Sequence, residues 1–507
     1  MSRGEQLLQL ARRGVHLIVG LVLDLEAKLR QARREMESLR LHNQEATKNA
    51  ATDRHAAREE IESLRHQVRE LSGRLALNSR NSGKPPSSDG LAKPAPKPKS
   101  LRTRTGRRPG GQPGHPGRTL EPAPQPDKVC RHTLGVCPCG ACNGASLVSQ
   151  PVLGYVKRQV FELPQKPLEV AEHQAEIKRC PVSGRQVTAP FPQGVTAPAQ
   201  YGPRFKAQMV YLNTQHFIPF QRLTRLCEDF YGQPLSEGTI VAANQLVFEN
   251  LAPFEIKVVE LLPQAPVNNV DESGLRVAKT LHWLHVASND SMTFYGVHPK
   301  RGAEAMDYFN ILPHCSNWLV HDHWKPYFSY ACLHALCNEH HLRELKFIHE
   351  ELHEDWAREM SQFLLGCRDR KKKKGVLNQR QHRKVQVRYR AILKRGRRLH
   401  PRSADPGPKG KAANLLTRLQ DFEPCVLAFT VFEEVPFTNN GGERDIRMEK
   451  TRQGISGCFR TLHGARVFAR IRSYISTCRK QGRNILDALE KAVVGHPFMP
   501  SAPPAGP

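Results

Sequence analysis

Long apolar segments are missing from this sequence of 507 residues. A helix that spans a membrane needs roughly 18 or more apolar residues in succession, and the best stretch, 15–25, is shorter and contains His16 and Asp24. The N-terminus also lacks the small-residue cleavage site of a secretory signal. We therefore expect a protein with no membrane partner, located in the cytoplasm.

Acidic residues are scarce relative to basic ones. The chain has 76 Lys and Arg against 48 Asp and Glu, a formal net charge of +28. Basic residues that served only solubility would be spread evenly, whereas these are clustered. Residues 91–120 hold eight Lys or Arg and no acid, and residues 368–402 hold 16 against one acid. Charge this concentrated predicts binding to the phosphates of a polyanion such as DNA.

Common catalytic signatures and a disulfide framework are absent as well. No P-loop and no G-x-S-x-G motif occurs, which excludes the usual ATPases and serine hydrolases. The 13 cysteines are odd in number and scattered, which favours reduced thiols and at most one metal site.

A heptad pattern predicts a coiled coil over 1–80. The apolar positions follow alternating steps of three and four, with a hitch near Ala57, and no proline precedes Pro85. The seam positions are Leu25, Leu29, Ala32, Met36, Leu39, Ile61, Leu64, Val68, Leu71 and Leu75. The pattern indicates a homodimer or higher oligomer. A helix that folds back on its own body is the alternative, because the alanine-rich middle makes a weak seam.

The segment 81–128 is predicted to be a basic linker rich in proline and glycine. Arg107 and Arg108 lie in a stretch, 106–114, that resembles the extended arms that insert arginine into a DNA minor groove. We predict that both arginines contact DNA. A flexible tether without that role is the alternative.

A cysteine cluster predicts a small zinc-ribbon-like module over 129–195. Cys139 and Cys142 have the C-x2-C spacing that grips one tetrahedral Zn²⁺, and Cys180 is the candidate third ligand. Ser183 stands where a fourth thiolate belongs. The residues that could complete the site are Cys137, Cys130 and His173. A set of unligated thiols is the alternative.

The remainder of the chain predicts a mixed sheet flanked by helices. The expected strands cover 267–277, 281–288, 292–298 and 318–320, with a helix over 303–312. This β-β-β-α-β order is typical of an α/β domain. Helical spacing over 201–262, with a capped start at 235–240, predicts a helical region that precedes the sheet.

Two of these strands each lead to an aspartate, and a later helix supplies a glutamate. Asp271 and Asp322 are 51 residues apart, which leaves room for two strands and one helix between them. Two carboxylates at neighbouring strand ends repel each other unless a cation lies between them, and hard oxygen ligands select Mg²⁺ or Mn²⁺. Glu443 is the candidate third carboxylate, as phosphodiester chemistry with two metal ions requires. Arg444, Arg447 and Lys450 on the same helix are predicted to bind DNA.

Other readings of these acids remain open. Spacing leaves Glu272 and Asp445 as close rivals, and Glu443, three residues after Asn440, also fits a capping box. The triplet 321–323 (HDH) lacks an evident third ligand for a zinc hydrolase, and Cys337, His340 and His341 are typical of a packed helix.

Several strings resemble the bacterial insertion-sequence-66 transposases, over nearly the whole chain. They are 78–89 (NSRNSGKPPSSD), 110–117 (GGQPGHPG), 201–204 (YGPR), 235–240 (LSEGTI), 270–275 (VDESGL), 281–286 (LHWLHV), 321–328 (HDHWKPYF), 336–345 (LCNEHHLREL) and 436–460, which ends in SGCFR. The resemblance implies an RNase H-like catalytic domain, with the family's two aspartates at Asp271 and Asp322 and the glutamate of its NNxxER motif at Glu443. It also implies a leucine zipper, a zinc-binding module and recognition of terminal inverted repeats.

The sequence thus predicts a multidomain α+β protein. The expected segments are a coiled coil (1–80), a basic linker (81–128), a zinc-finger-like module (129–195), a helical connector or DNA-binding region (196–262), an RNase H-like catalytic domain (263–460) with a basic helical insertion at about 345–425, and C-terminal helices with a tail (461–507).

The expected function is that of a DDE transposase, which cuts DNA at element ends and joins them to target DNA with two Mg²⁺ or Mn²⁺ ions. Accessory transposition proteins are further candidate partners. A DNA-binding protein without catalysis is the alternative from another class, and a nuclease that cannot join ends is a third. Gly441 and Gly442 depart from the family, which usually shows a residue followed by alanine there. Each glycine lowers helix propensity by about 1 kcal/mol, which predicts a less firmly held Glu443.

Overall fold

The structure is a computed structural model. It describes residues 3–75, 122–139, 141–161, 168–179, 181–183, 185–402 and 410–502. Arg107, Arg108 and Cys180 lie outside the described residues, as do the motif stretches 78–89 and 110–117 and most of the predicted linker.

Helices dominate the described part of the chain. The α-helices are α1 (Arg3–Leu75), α2 (Pro203–Gln215), α3 (Phe220–Tyr231), α4 (Glu237–Asn250), α5 (Ala252–Leu261), α6 (Ala303–Phe309), α7 (Asn338–Leu352), α8 (Asp355–Lys374), α9 (Gln379–Leu399), α10 (Lys411–Asp421), α11 (Glu423–Leu427), α12 (Asn440–Ser456), α13 (Leu462–Lys480) and α14 (Ile485–Val493). The strands are β1 (Ile177–Arg179), β2 (Gln186–Thr188), β3 (Val267–Val277), β4 (Thr280–Ser288), β5 (Thr293–His298), β6 (Trp318–His321) and β7 (Leu333–Leu336).

The chain divides into two compact units. The first comprises Met1–Gly90 with Ala335–Thr438, and the second comprises Leu91–His334 with Asn439–Pro507. The first unit is helical, and the second contains the main sheet. The mixed α+β class expected from the sequence, with a helical N-terminus and a β-sheet core, is therefore confirmed.

Helices α7 to α10 form the packed body of the first unit. Trp356, Phe363 and Tyr389 are buried there with Leu416, and the Tyr389 hydroxyl donates a hydrogen bond to the Leu419 carbonyl at 2.7 Å. Helix α9 is fitted closely to its neighbours at Gly396. A Cβ atom at this position would lie 2.7 Å from the Leu416 side chain and 2.9 Å from that of Trp356. The glycine therefore sets how near α9 lies to the rest of the unit.

Helix α1 is a single helix of 73 residues, as the heptad pattern predicts. The described seam side chains are exposed, for example Leu25 at 61%, Met36 at 55% and Leu64 at 51%. A seam that is exposed on one chain does not fit the alternative of a helix that buries it against its own body. Its pairing with a second copy stays a prediction.

One segment of α1 meets the length and composition criteria for a membrane span. Among the described residues this is Arg3–Glu45, and none of its most apolar part is buried. The finding differs from the sequence-based expectation because the average hydropathy of this segment is high, although His16 and Asp24 interrupt its apolar run. It is weak evidence for a span, since signal sequences and core helices of soluble proteins meet the same criteria.

The main sheet has five strands in the order β5-β4-β3-β6-β7. Strands β3, β4 and β5 form an antiparallel meander, and β6 returns parallel to β3. The strands expected over 267–277, 281–288, 292–298 and 318–320 are all confirmed, with ends that shift by one residue at most. The expected helix over 303–312 ends earlier, at Phe309, because Asn310 adopts a left-handed conformation (φ 55°).

Helices cover both faces of the sheet, and α13 contributes to the core on each of them. Residues Leu275, Val286 and Tyr295 on one face pack against Ile446 of α12 and Ala469 of α13. Val270, Ala287 and Phe294 on the opposite face join a core that includes side chains of α5, α6 and α13. Because side chains alternate along a strand, odd-numbered residues of β3 face α12.

The helical region before the sheet also forms as expected. The Ser236 hydroxyl accepts a hydrogen bond from the Thr239 backbone N–H at 3.1 Å and caps α4, which confirms the predicted capped start.

Candidate functional site

Asp271 and Asp322 meet at the junction of β3 and β6. The parallel register pairs Val267 with Trp318 and Asn269 with Val320, so each pair differs by 51 positions, as the two aspartates do. Continuing this register by two residues places Asp322 beside Asp271, on strands that lie about 4.8 Å apart. The structure therefore brings together the two aspartates that the sequence singled out.

Glu443 approaches the same place from α12. This helix packs across β3 and β4 on the face that carries the odd-numbered residues, and Glu443 lies in its first turn. Its backbone N–H donates to the Asn439 carbonyl at 3.0 Å. Glu443 does not complete a capping box with Asn440, because the N-cap is Asn439 and the Asn439 side chain makes no capping bond.

The charges of the neighbouring acids act on Asp271. Burial raises the pKa of Asp271 well above its usual range, and the negative charges of Glu272, Asp322 and Glu443 raise it further. The Glu272 backbone N–H, which donates to Asp271 Oδ1 at 2.8 Å, opposes this only in part. Among the described residues, no lysine or arginine forms an ion pair with Asp271 or Asp322. A cluster of this kind favours a bound cation.

Glu272, the first rival, points to the opposite face of β3. Its side chain is 1% exposed and accepts hydrogen bonds from Arg301 Nε at 2.9 Å and from the Tyr327 hydroxyl. The Arg301 guanidinium lies over the Trp324 ring, 4.1 Å from its centroid. Arginine and tyrosine thus already occupy the carboxylate of Glu272.

Asp445, the second rival, is also paired within the protein. Its Oδ2 lies 2.7 Å from Lys480 Nζ, and both side chains are largely buried. Thr293 Oγ1 donates to the same oxygen at 3.5 Å. A carboxylate neutralised by a lysine has less need of a metal ion than the acids around Asp271.

Two asparagines connect β3 to the start of α12. Asn269 Nδ2 donates to Asn439 Oδ1 at 2.8 Å, and Asn439 Nδ2 donates to the Val270 carbonyl at 2.8 Å. The bonds involve Asn269 and Val270, which lie two and one residues before Asp271, and Asn439, which is the N-cap of α12 four residues before Glu443. Asn269 and Asn439 therefore fix the helix start relative to the strand that carries Asp271.

The glycine pair 441–442 makes room for this connection. A Cβ atom on Gly441 would lie 3.2 Å from the Asn269 carboxamide, and one on Gly442 would lie 3.1 Å from Asn439 Oδ1. Both distances are tighter than ordinary carbon contacts. At Gly441 and Gly442, where the chain departs from the family pattern, Asn269 and Asn439 pack closely against the backbone. This packing offsets the low helix propensity of the two glycines.

The residues around Asp322 are held by the backbone. Asp322 Oδ1 accepts a hydrogen bond from the Trp324 N–H at 2.9 Å. His321 is fully buried, with Nδ1 against the Asp322 carbonyl and Nε2 3.1 Å from His334 Nδ1. Burial lowers the pKa of His321 to about 3, so this histidine is neutral and both ring nitrogens are engaged. That arrangement does not support the zinc-hydrolase alternative for 321–323.

The predicted DNA-binding side chains on α12 differ in exposure. Arg444 and Arg447 are exposed, whereas Lys450 is half-buried and donates to the Gly274 carbonyl at 3.3 Å. Sequence reasoning had not identified Asn269 or Asn439 as site residues. The available signal was a pair of asparagines next to each acid, at 268–269 and at 439–440.

A second candidate site is the cysteine hairpin of the same unit. The Cys137 N–H bonds to the Ala145 carbonyl at 3.0 Å, and the sulfur atoms of Cys137, Cys139 and Cys142 all lie within 4.8 Å of one another. The sulfurs of Cys139 and Cys142 are 3.4 Å apart, near the roughly 3.8 Å expected for two thiolates on one tetrahedral Zn²⁺. Cys137 thus joins Cys139 and Cys142, whereas Cys130 does not belong to this group.

The reactivity of Cys139 offers a test of this hairpin. A hydrogen bond from the Ala141 backbone, together with contacts with Cys137 and Cys142, lowers the pKa of Cys139 to about 7. In metal-free protein we expect iodoacetamide to alkylate Cys139 about tenfold faster at pH 7 than it alkylates an unperturbed peptide thiol, with a rate that rises through pH 7. One equivalent of Zn²⁺ should suppress this reaction while leaving exposed Cys130 reactive. Mass spectrometry measures both, and equal alkylation of Cys139 with and without Zn²⁺ would contradict the site.

Comparison with known families gives two matches. A profile described as "Family of unknown function (DUF6444)" matches residues 24–121, and no curated protein matches the chain. A profile described as "Transposase IS66 family" matches residues 198–467, which include Asp271, Asp322 and Glu443 and cover just over half of the sequence. This match confirms the resemblance seen in the motifs. The chain belongs to the IS66 family of transposases.

Proposed function

We propose that this chain is a DDE transposase with an RNase H-like catalytic domain, in which Asp271, Asp322 and Glu443 form one active site. Membership in the family implies DNA transposition, with DNA as the partner. The observation that supports the finer proposal is the parallel register of β3 and β6, whose offset of 51 positions equals the separation of Asp271 and Asp322 in the sequence. Glu443 is included because its negative charge, like that of Asp322, raises the pKa of Asp271.

The donor set fits hard divalent cations. All three side chains are carboxylates, their charges reinforce one another at Asp271, and no lysine or arginine among the described residues neutralises the two aspartates. Mg²⁺ and Mn²⁺ prefer such oxygen ligands. Two ions bound here would make an attacking oxygen more nucleophilic and stabilise the leaving oxygen of a phosphodiester.

The protein's own groups orient the site. The Glu272 and Trp324 backbone N–H groups each hold one oxygen of an aspartate. Among the described residues, the second oxygen of each of these carboxylates accepts no hydrogen bond. Arg444 and Arg447, exposed one and four residues after Glu443, would bind backbone phosphates next to the reacting bond. Lys450 has a smaller part in this proposal, because its ammonium already contacts Gly274.

The other modules support assembly on DNA. We propose that Cys137, Cys139 and Cys142 hold Zn²⁺, with a fourth ligand that lies outside this trio, and that the exposed seam of α1 pairs two copies so that both element ends are held together. Arg107 and Arg108 remain proposed contacts to the minor groove.

The test is cleavage of a duplex that carries the inverted repeat from the DNA flanking the gene. Wild-type protein with Mg²⁺ or Mn²⁺ should nick this duplex at the element end and join the new 3′-hydroxyl to a plasmid, and EDTA should abolish both reactions. Binding without cleavage under either metal would support the alternative of a DNA-binding protein without catalysis. Cleavage without joining would support a nuclease.

A further inference from the structure

The exposed face of α9 carries a row of basic side chains. A helix turns by about 100° per residue, so residues 380, 384, 387, 391 and 398 lie on one face, with 383 and 394 beside them. We call Arg380, Arg383, Lys384, Lys394 and Arg398 the α9 stripe. All five are exposed, and the helix contains no acidic residue.

The stripe differs from the other cations of α9 in what its members contact. Arg390 pairs with Glu423 at 2.8 Å and Arg395 with Glu359 at 2.6 Å. Among the described residues, no acid pairs with any member of the stripe. Arg390 and Arg395 therefore form ion pairs within the protein, whereas the cations of the stripe can bind another molecule.

The opposite face fixes α9 in place. Tyr389, Ile392 and Leu393 are buried, and Gly396 packs closely against α8 and α10. The helix is thus a rigid support for the stripe. The exposed face has only Val387 and Ala391 as apolar residues at its centre, too little apolar surface for insertion into a membrane.

The N-terminal half of the stripe is unfavourable in the isolated protein. Arg380, Arg383 and Lys384 lie in the first two turns of α9, at the positive end of the helix dipole, where cations are repelled. These three side chains and Arg388 border open space along the exposed face of the helix. An external polyanion bound there would relieve the repulsion.

We propose that the α9 stripe binds the sugar-phosphate backbone of duplex DNA. From Arg380 to Arg398 the helix rises about 27 Å, which is the length of roughly eight base-pair steps of duplex DNA. The cations form two groups, Arg380 to Lys384 near the start of the helix and Lys394 with Arg398 near its end, so they can contact phosphates at both ends of this length. The proposal rests on the proposed function, which makes DNA the substrate, and adds a surface on the helical unit that holds it without reading sequence.

The test compares two full-length variants with equal loss of charge. The stripe variant carries Arg380→Gln, Lys384→Gln and Arg398→Gln. The control carries Lys346→Gln, Arg358→Gln and Arg402→Gln, because these cations already pair with Glu350, Asp355 and Asp421 in the same unit. Fluorescence anisotropy gives the Kd for a random-sequence duplex of about 30 base pairs at several salt concentrations, without divalent metal, and circular dichroism verifies that both variants fold.

The slope of log K against log salt concentration is negative, and each lost phosphate contact reduces its magnitude by about 0.9. We expect the stripe variant to lose about 2 to 3 from the magnitude of the slope and at least tenfold in affinity at low salt, while the control loses less than about 1. Equal slopes for the two variants would overturn the proposal. The same measurement with single-stranded DNA is a second check, and the proposal would also be overturned if the two variants differed with single-stranded DNA but not with the duplex. Because no metal is present, the result is independent of cleavage. If the stripe variant had a smaller slope than the control but the wild-type protein never cut DNA, the α9 proposal would stand and only the proposed function would be contradicted.

Discussion

Asp271→Asn is expected to reduce metal-dependent cleavage of an inverted-repeat duplex by roughly 10³-fold or more, because it removes a carboxylate from the centre of the acid cluster. The change keeps the shape of the side chain and its hydrogen bond from the Glu272 N–H. It also removes a charge that burial disfavours. The variant without metal should therefore unfold at a temperature at least as high as the wild type, which separates lost chemistry from lost folding.

Two controls make this experiment specific. Asp290→Asn removes the same charge at an exposed position between β4 and β5 and should leave cleavage unchanged. Glu272→Gln removes the rival carboxylate, whose partners are Arg301 and Tyr327, and should lower stability more than it lowers the rate at saturating metal. If Glu272→Gln were inactive while Asp271→Asn kept wild-type activity, the assignment of the site would have to be reversed.

Asn439→Ala is expected to lower the cleavage rate by about 10²-fold, the effect of a displacement near 1 Å in a reacting group. The substitution removes the bonds to Asn269 and Val270 that hold the start of α12 against β3. It also leaves a buried carbonyl without this partner, at a cost of about 1 to 3 kcal/mol in stability. The rate should recover partly at high Mn²⁺ concentration, because a displaced Glu443 binds metal more weakly.

The neighbouring asparagine provides a matched control. Asn440 is exposed, whereas Asn439 is 2% exposed, so Asn440→Ala should leave the metal dependence unchanged. A positioning role for Asn439 predicts a higher concentration of Mn²⁺ at half-maximal rate, together with the lower rate. If Asn439→Ala lowered only the unfolding temperature and left the metal dependence unchanged, its role would be structural.

The sheet and its aspartates could be predicted because their signals are local. β-branched and aromatic residues between turn formers give β3, β4, β5 and β6 to within one residue, and the offset of 51 between Asp271 and Asp322 is the register offset itself. Only Asp322 lies at a strand end, directly after β6, whereas Asp271 lies within β3, because this strand continues to Val277 instead of ending at the aspartate.

The rest of the site depends on contacts that spacing does not encode. Whether Asp271 or Glu272 faces α12 depends on which face of β3 that helix covers, and Asp445 is excluded by Lys480, which lies 35 positions later. The tolerance for Gly441 depends on the side chain of Asn269, in another element. Likewise, the C-x2-C spacing identifies Cys139 and Cys142, but only the folded hairpin brings Cys137 to them.

The most direct test of the central claim is anomalous diffraction from crystals of the protein with Mn²⁺ and a DNA end. The account predicts two manganese peaks about 2.1 Å from carboxylate oxygens, with Asp271, Asp322 and Glu443 as the protein ligands. Crystals of Asp271→Asn should lose at least one peak. Manganese bound elsewhere, with these three carboxylates free of metal in the wild-type complex, would contradict the account.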